Sequence, residues 1–147
     1  MRIWSARLLI GIVTAWNLQA AFIFIFSPAT FTGAYELSGT AGKAAVRGIG
    51  ILFLMWNVPN LFALQNPIRF RLALYLSVLM QLIGLIGESY ILSTLSVEHV
   101  VLRNSILLFI EFDAAGLLFL VTAYLLVKDE NNLGRDSISL AHPDNEG

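Results

Sequence analysis

The chain has 147 residues, 57% of them apolar and only 13% charged, with a mean hydropathy of +0.75 and a formal net charge of −1. A soluble domain carries roughly a quarter charged residues, so the composition excludes an ordinary water-soluble fold, and the near-zero charge excludes a nucleic-acid partner. The absence of cysteine excludes disulfides, thiol redox chemistry and Cys-bound metal clusters. With only His99 and His142 available, haem held by two histidines inside a bilayer is excluded as well.

The length allows one domain. A spanning helix needs about 20 mostly apolar residues, and four windows qualify, at about 5–27, 44–65, 72–95 and 101–127. The prediction is therefore an all-α integral membrane four-helix bundle over residues 1–127. The first window follows Arg2 and Arg7 and could be read as a signal peptide. Its apolar run continues through AAFIFIF, beyond a typical h-region, and no small-x-small cleavage site follows. A spanning helix is the better reading. It carries Trp16, Asn17 and Gln19 as intramembrane polarity, with Trp4 at its start as an interfacial anchor.

The connecting stretch SPATFTGAYELSGTAGK has the Pro, Gly and Ser content of a loop, and its Phe31 and Tyr35 read as further interfacial anchors. The second span, AAVRGIGILFLMWNVPNLFAL, places Arg47 one turn in from its start. Gly48 and Gly50 leave room for close helix approach. Pro59 removes the hydrogen bond to the Met55 carbonyl, and Asn57 and Asn60 flank it as candidates to satisfy freed backbone groups.

In the third span Ser77, Gln81, Gly84 and Glu88 recur at steps of four, three and four, which is one helical face. After the loop SVEH, the fourth span holds the stretch SILLFIEFDAAGLLFLV, residues 105–121. The Leu, Ile, Val and Phe residues between Asn104 and Val127 favour insertion by about 6 kcal/mol, and two central acids cost about as much. Glu111 and Asp113 must therefore be paired, neutral or wet. They stand about 200° apart around the helix, so they cannot share one seam or act as a catalytic dyad. One of them faces a cavity or another protomer, unless neighbours pack both sides. Asn104, Glu111, Ala115 and Thr122 form a second polar stripe. The last segment, residues 128–147, is polar and aperiodic and reads as a disordered cytoplasmic tail.

Arg2, Arg7, Arg69, Arg71, Lys128 and Arg135 fall on one side of the spans, against Lys43, Arg47 and Arg103 on the other. This bias places both termini in the cytoplasm and the protein in the cell membrane (the cytoplasmic membrane if bacterial). Arg47, Glu88, Glu111 and Asp113 then gather in the outer half of the bilayer, with Arg103 and His99 at the rim. Arg47 is the expected partner of Glu88 or Glu111, since a guanidinium binds a carboxylate bidentately.

Four short spans with the Arg47-Gly48-Ile49-Gly50 start to the second helix resemble the small bacterial DoxX-like membrane proteins. The resemblance covers residues 1–127 and implies the architecture. Some members are linked to quinone-coupled sulfur oxidation, an activity that a chain without cysteine cannot inherit.

The sequence supports a ligand-binding or accessory membrane subunit. Its site would be an outward-opening pocket of Arg47, Gln81, Glu88, Glu111 and Asp113 above a floor of Asn57 and Asn60. Alternatives are a proton-coupled small-molecule transporter acting as a dimer, and a structural bundle that docks a partner chain through the face of Asp113. An enzyme is the least supported class, because no metal-ligand cluster, nucleophile–base spacing or dinucleotide loop is present. No cofactor is identified, and a quinone has no motif beyond a polar pocket. Expected partners are the lipid bilayer and a partner subunit or second copy.

Overall fold

A computed structural model describes residues 2–141, with side chains from 2 to 129. The described elements are α1 (Arg2–Phe26), a short α2 (Ala29–Thr32) running into a 3-10 turn (Gly33–Tyr35), α3 (Gly39–Gln65), α4 (Arg71–Thr94) and α5 (Val100–Ala141). α1, α3, α4 and the Val100–Asp129 portion of α5 are each long and apolar enough to cross a membrane. The backbone of α5 continues helically to Ala141, into the segment whose composition suggests disorder; residues 142–147 of that tail lie outside the described residues.

Helix ends follow local chemistry. α1 stops before Ser27-Pro28, and α3 stops before Asn66-Pro67, because a proline disfavours helical geometry in the residue before it. α3 runs through Pro59 without interruption.

Each long helix packs on two neighbours in a ring of α1, α3, α4 and α5, so α3 and α5 stand on one diagonal. Gly50 sets the α1–α3 spacing: an added Cβ would lie 2.9 Å from the Ala21 carbonyl oxygen and 2.8 Å from the Phe24 Cβ. Gly48 faces open space, so only one of the two glycines serves the close approach.

Three arginines close helix ends across helix boundaries. Arg47 Nε donates to the Ile25 carbonyl at the end of α1 (3.3 Å), and Arg7 Nε to the Leu64 carbonyl at the end of α3 (3.0 Å). Arg103 Nη1 donates to the carbonyls of Leu92 and Leu95 at the end of α4 (3.2 and 2.9 Å). The last four carbonyls of a helix lack intrahelical partners, and the negative dipole end favours a cation.

The two ends of the bundle differ. The end carrying the chain termini holds a dry core of Ala6, Ile10, Leu74, Leu120, Ala123 and Val127, all fully buried. The opposite end, beneath the loops, is open between its helices.

Candidate functional site

The open end contains two cavities. One, of about 450 Å³, lies between α1 and α5 and is walled by Trp16, Phe24, Phe31, Phe53, Phe109 and Phe112. Its polar lining is Asn17, Gln19, Ser105 and Asp113. The other, of about 270 Å³, lies against α3 and α4 and is lined by Trp56, Asn57, Gln81, Gly84 and Glu88. Asn17, Phe53 and Asp113 line both, so the two spaces adjoin at these three residues.

Asp113 is held by reciprocal packing of α4 on α5. Gln81 Nε2 donates to Asp113 Oδ1 at 2.8 Å. Each of the two side chains occupies space that a glycine on the facing helix leaves free. A Cβ at Gly84 would lie 2.6 Å from Asp113 Oδ2, and a Cβ at Gly116 would lie 2.9 Å from Gln81 Nε2. The stripe Ser77, Gln81, Gly84, Glu88 thus faces the bundle interior, with Ser77 and Gln81 buried. Glu88 projects into the smaller cavity, and its Oε2 is buried with no hydrogen-bond partner among the described residues.

Asn57 donates to the Phe53 carbonyl (2.7 Å), and Asn60 Nδ2 donates to Asn57 Oδ1 (3.3 Å). The Asn57 bond goes to its own i−4 carbonyl rather than to the Met55 carbonyl that Pro59 frees. Asn57 lines the smaller cavity, as its expected place in the floor requires. Asn60 is 1% exposed and packs behind it, with its Oδ1 unpartnered among the described residues.

Two expected members stand elsewhere. Arg47 caps α1 and forms no ion pair with Glu88 or Glu111. A pair with Glu111 does not form: α5 meets α3 through Phe109, whose ring packs on Phe53, and Glu111 points about 200° away from Phe109 on the exposed side of α5. Glu111 is exposed on the outer surface of α5, and the α5 stripe of Asn104, Glu111 and Thr122 points outward with it. The helical spacing of the two acids resolves here: Asp113 faces the cavities and Glu111 does not. The face of Asp113 is turned toward α4 and the two cavities.

The roof is a second departure from the sequence reading. Phe31 and Tyr35 turn inward rather than anchoring at an interface. Phe31 packs on Phe24 at 4.4 Å between ring centroids, and Tyr35 stacks on Phe109 at 6.0 Å. Burial pushes the Tyr35 phenol well above its usual range, and the nearby Glu88 carboxylate adds to the shift; the phenol stays protonated and available as a donor. Beside it Glu36 adopts a left-handed backbone (φ 53°), an uncommon conformation for a residue with a side chain. Its carboxylate accepts from His99 Nδ1 (2.5 Å) and from the Leu102 backbone N–H in the first turn of α5 (3.2 Å). The hydrogen bond from His99, then that from Leu102, holds the Glu36 carboxyl below the usual carboxylate range. His99, an exposed residue at the rim, is thus half of a clasp between two loops.

The aromatic walls, Asn17 and the Glu36 clasp are not separable in sequence from ordinary packing residues. The one available signal is crowding, with Trp16, Phe22, Phe24 and Phe26 followed closely by Phe31 and Tyr35.

Among the described residues no group of three His, Asp or Glu side chains could hold a metal ion. Helices and cavities together make a four-helix bundle of membrane-spanning length with an aromatic, acid-bearing space at one end. No family model, curated protein or solved structure matches the chain.

Proposed function

We propose that the chain is an integral membrane protein that binds an amphiphilic ligand at the loop end of its bundle, alone or as an accessory subunit of a larger complex. The Lys and Arg bias supports cytoplasmic termini, so the cavities open in the outer half of the bilayer. One observation carries the reading: two cavities, one walled by aromatic rings, share Asp113, whose carboxylate is fixed by Gln81. Ligand sites are typically apolar spaces of this size with a few placed polar groups.

The chemistry of those polar groups sets the sign of the ligand. A carboxylate removed from water without a partner costs several kcal/mol, whereas one hydrogen bond to a charged group returns about 1.5–3 kcal/mol. Asp113 is half-buried with Gln81 as its one side-chain partner among the described residues, and Glu88 shares its cavity. With Arg47 and Arg103 committed to helix ends, no arginine among the described side chains neutralises either acid. The missing positive charge is then a proton or the ligand itself. The ligand is therefore cationic or hydrogen-bond-donating, its apolar body lying against Trp16, Phe53 and Phe109.

Trp16 and Trp56 each line one cavity, so intrinsic fluorescence in lipid nanodiscs reads binding directly. Three probes share a compact adamantane body and differ in the head group: aminomethyl, hydroxymethyl and carboxylate. The ammonium probe is expected to bind tightest, and D113N to weaken it by tenfold or more while leaving the helical signal intact. Binding of none of the three sinks the site; preference for the carboxylate keeps the site and overturns its assigned sign.

Proton-coupled transport is a second reading, favoured by the unpartnered Oε2 of Glu88 in the same cavity as Asp113. It requires proton release when the ammonium probe binds, lost in E88Q or D113N. Binding without proton release leaves a simple binder.

A further inference from the structure

Glu111 stands eleven residues into α5, about 16 Å along its axis at a rise of ~1.5 Å per residue. It is exposed and has no ionic or hydrogen-bond partner among the described residues. Around it α5 exposes Asn104, Leu107, Leu108, Leu118 and Thr122, a face that no other described helix covers. In a membrane-spanning chain, and independently of the ligand site, a carboxyl in this position meets hydrocarbon unless another protein covers it. Charged groups at this depth are costly in lipid.

The same chain carries a matching charge. Arg47 is exposed on α3 and uses its Nε on the Ile25 carbonyl, which leaves the other donors of its guanidinium for an acceptor. Arg2, Lys43, Arg69, Arg71 and Lys128 are exposed too, but they sit at the ends of the apolar spans or in a loop, where water is close. Depth agrees as well. Arg47 bonds at the level of Ile25, and Glu111 follows Phe109, whose ring packs on Phe24. Gly50 is level with Phe24, so Arg47 lies about one turn outward of that level and Glu111 about half a turn inward of Phe109. The two charges are within about two helical turns along the bundle axis, ~10 Å, a gap that the arginine and glutamate side chains span together.

Within one chain they do not meet, because the side of α5 that reaches α3 is that of Phe109, packed on Phe53, and Glu111 points about 200° away from it. We infer that a second copy of this chain covers the Glu111 face of α5, its Arg47 guanidinium meeting the Glu111 carboxylate. The two surfaces lie on opposite corners of the bundle, so a single two-fold patch cannot contain both and the contact is head-to-tail. Copies joined this way close into a ring when the rotation between them permits. The guanidinium would then bridge the end of α1 in its own chain and the middle of α5 in the next. Truncating Glu111 should loosen the assembly without touching the cavities.

The absence of native cysteine makes the test clean. Leu107→Cys and Ile51→Cys, each one turn from the charge it reports on, are placed on separately tagged copies, co-expressed and oxidised in their own membrane. Carbonate-washed membranes must retain the protein; if they do not, the membrane reading fails, and the contact fails with it. With the protein retained, the expected product is the mixed 51–107 disulfide between differently tagged copies. E111Q should reduce its yield about tenfold and leave binding of the ammonium probe unchanged. Charge reversal in E111R should abolish the cross-link, and R47E/E111R in every copy should restore it. A symmetric 107–107 product alone, a cross-link to another protein alone, or no cross-link with E111Q indistinguishable from the native chain overturns the inference. Since R47E removes the cap on α1, E111Q remains decisive if the double variant does not accumulate.

Discussion

Two polar stripes in this protein obey the same helical spacing and have opposite fates. Ser77, Gln81, Gly84 and Glu88 on α4 face the bundle interior, with Ser77 and Gln81 buried. Asn104, Glu111 and Thr122 on α5 face outward. The difference lies in what each stripe meets. The α4 stripe contains Gly84 and faces Gly116, so a backbone and a polar pair fit against it. The α5 stripe meets no other described helix; the side of α5 that turns inward is the one bearing Phe109, Asp113, Gly116 and Leu120. A polar stripe thus marks a contact surface without saying whether the contact is internal or with another molecule. In lipid both kinds of contact depend on packing and hydrogen bonding, because hydrocarbon tails remove the usual hydrophobic drive.

The contrast between inner and outer faces is tested most severely on α5 itself. Leu120 is fully buried, whereas Leu118, two residues away on the outer stripe, is 64% exposed. Leu120→Ala should cost about 2–3 kcal/mol, chiefly the cavity term, and Leu118→Ala should lie within about 0.5 kcal/mol of the native chain. Reversible unfolding in mixed micelles measures both, and equal losses would mean that α5 is rotated about its axis, with Leu118 as buried as Leu120.

The α4 stripe is tested by its glycines. Gly84→Ala pushes a methyl into Asp113 and to within 3.0 Å of Trp56, an overpacking cost of about 1–2 kcal/mol. It should displace the Gln81–Asp113 pair and weaken binding of the ammonium probe. Gly87→Ala, with nothing within 4 Å of the added carbon, should instead stabilise the helix by up to about 1 kcal/mol. Thermal unfolding of the pair in nanodiscs gives opposite signs if the interior face is placed correctly.

The smallest effect concerns the roof. Because the folded state lowers the pKa of Glu36, its contribution is complete above the ordinary glutamate value of about 4.3 and fades as pH falls through the lower folded value. The clasp to His99 and Leu102 should therefore hold at neutral pH and open in acid. Hydrogen exchange at the Leu102 amide, followed from pH 7 downwards, should accelerate relative to the intrinsic rate. In E36Q it should already be fast at neutral pH, with no further acid-dependent step.

Much of the architecture is legible in the sequence because hydropathy and helix length act locally. Each of the four apolar windows falls on one long helix, although α3 begins five residues before its window and α5 continues to Ala141. The first two loops fall at Pro-bearing segments, and the separation of about 200° between Glu111 and Asp113 follows from two residues of helical rotation. The site is legible only in part. Gln81, Glu88, Asp113 and Asn57 do share a space, and periodicity indicates as much for the residues of α4. Arg47 is the misleading case, because matching depth does not imply proximity. Depth is a one-dimensional coordinate along the bundle, and the order of helices around it is a second one.

Residues a turn or two apart set the number of long apolar helices and the faces that carry polar groups, so the sequence alone was enough for these. Tertiary packing settled which helices are neighbours and which are diagonal. It thereby made the arginines cap helix ends instead of neutralising acids, turned Asp113 rather than Glu111 to the cavities, and folded Phe31 and Tyr35 into a roof. These outcomes depend on contacts between residues far apart in the chain, where steric fit at Gly50, Gly84 and Gly116 selects one packing among several that the polar pattern would allow.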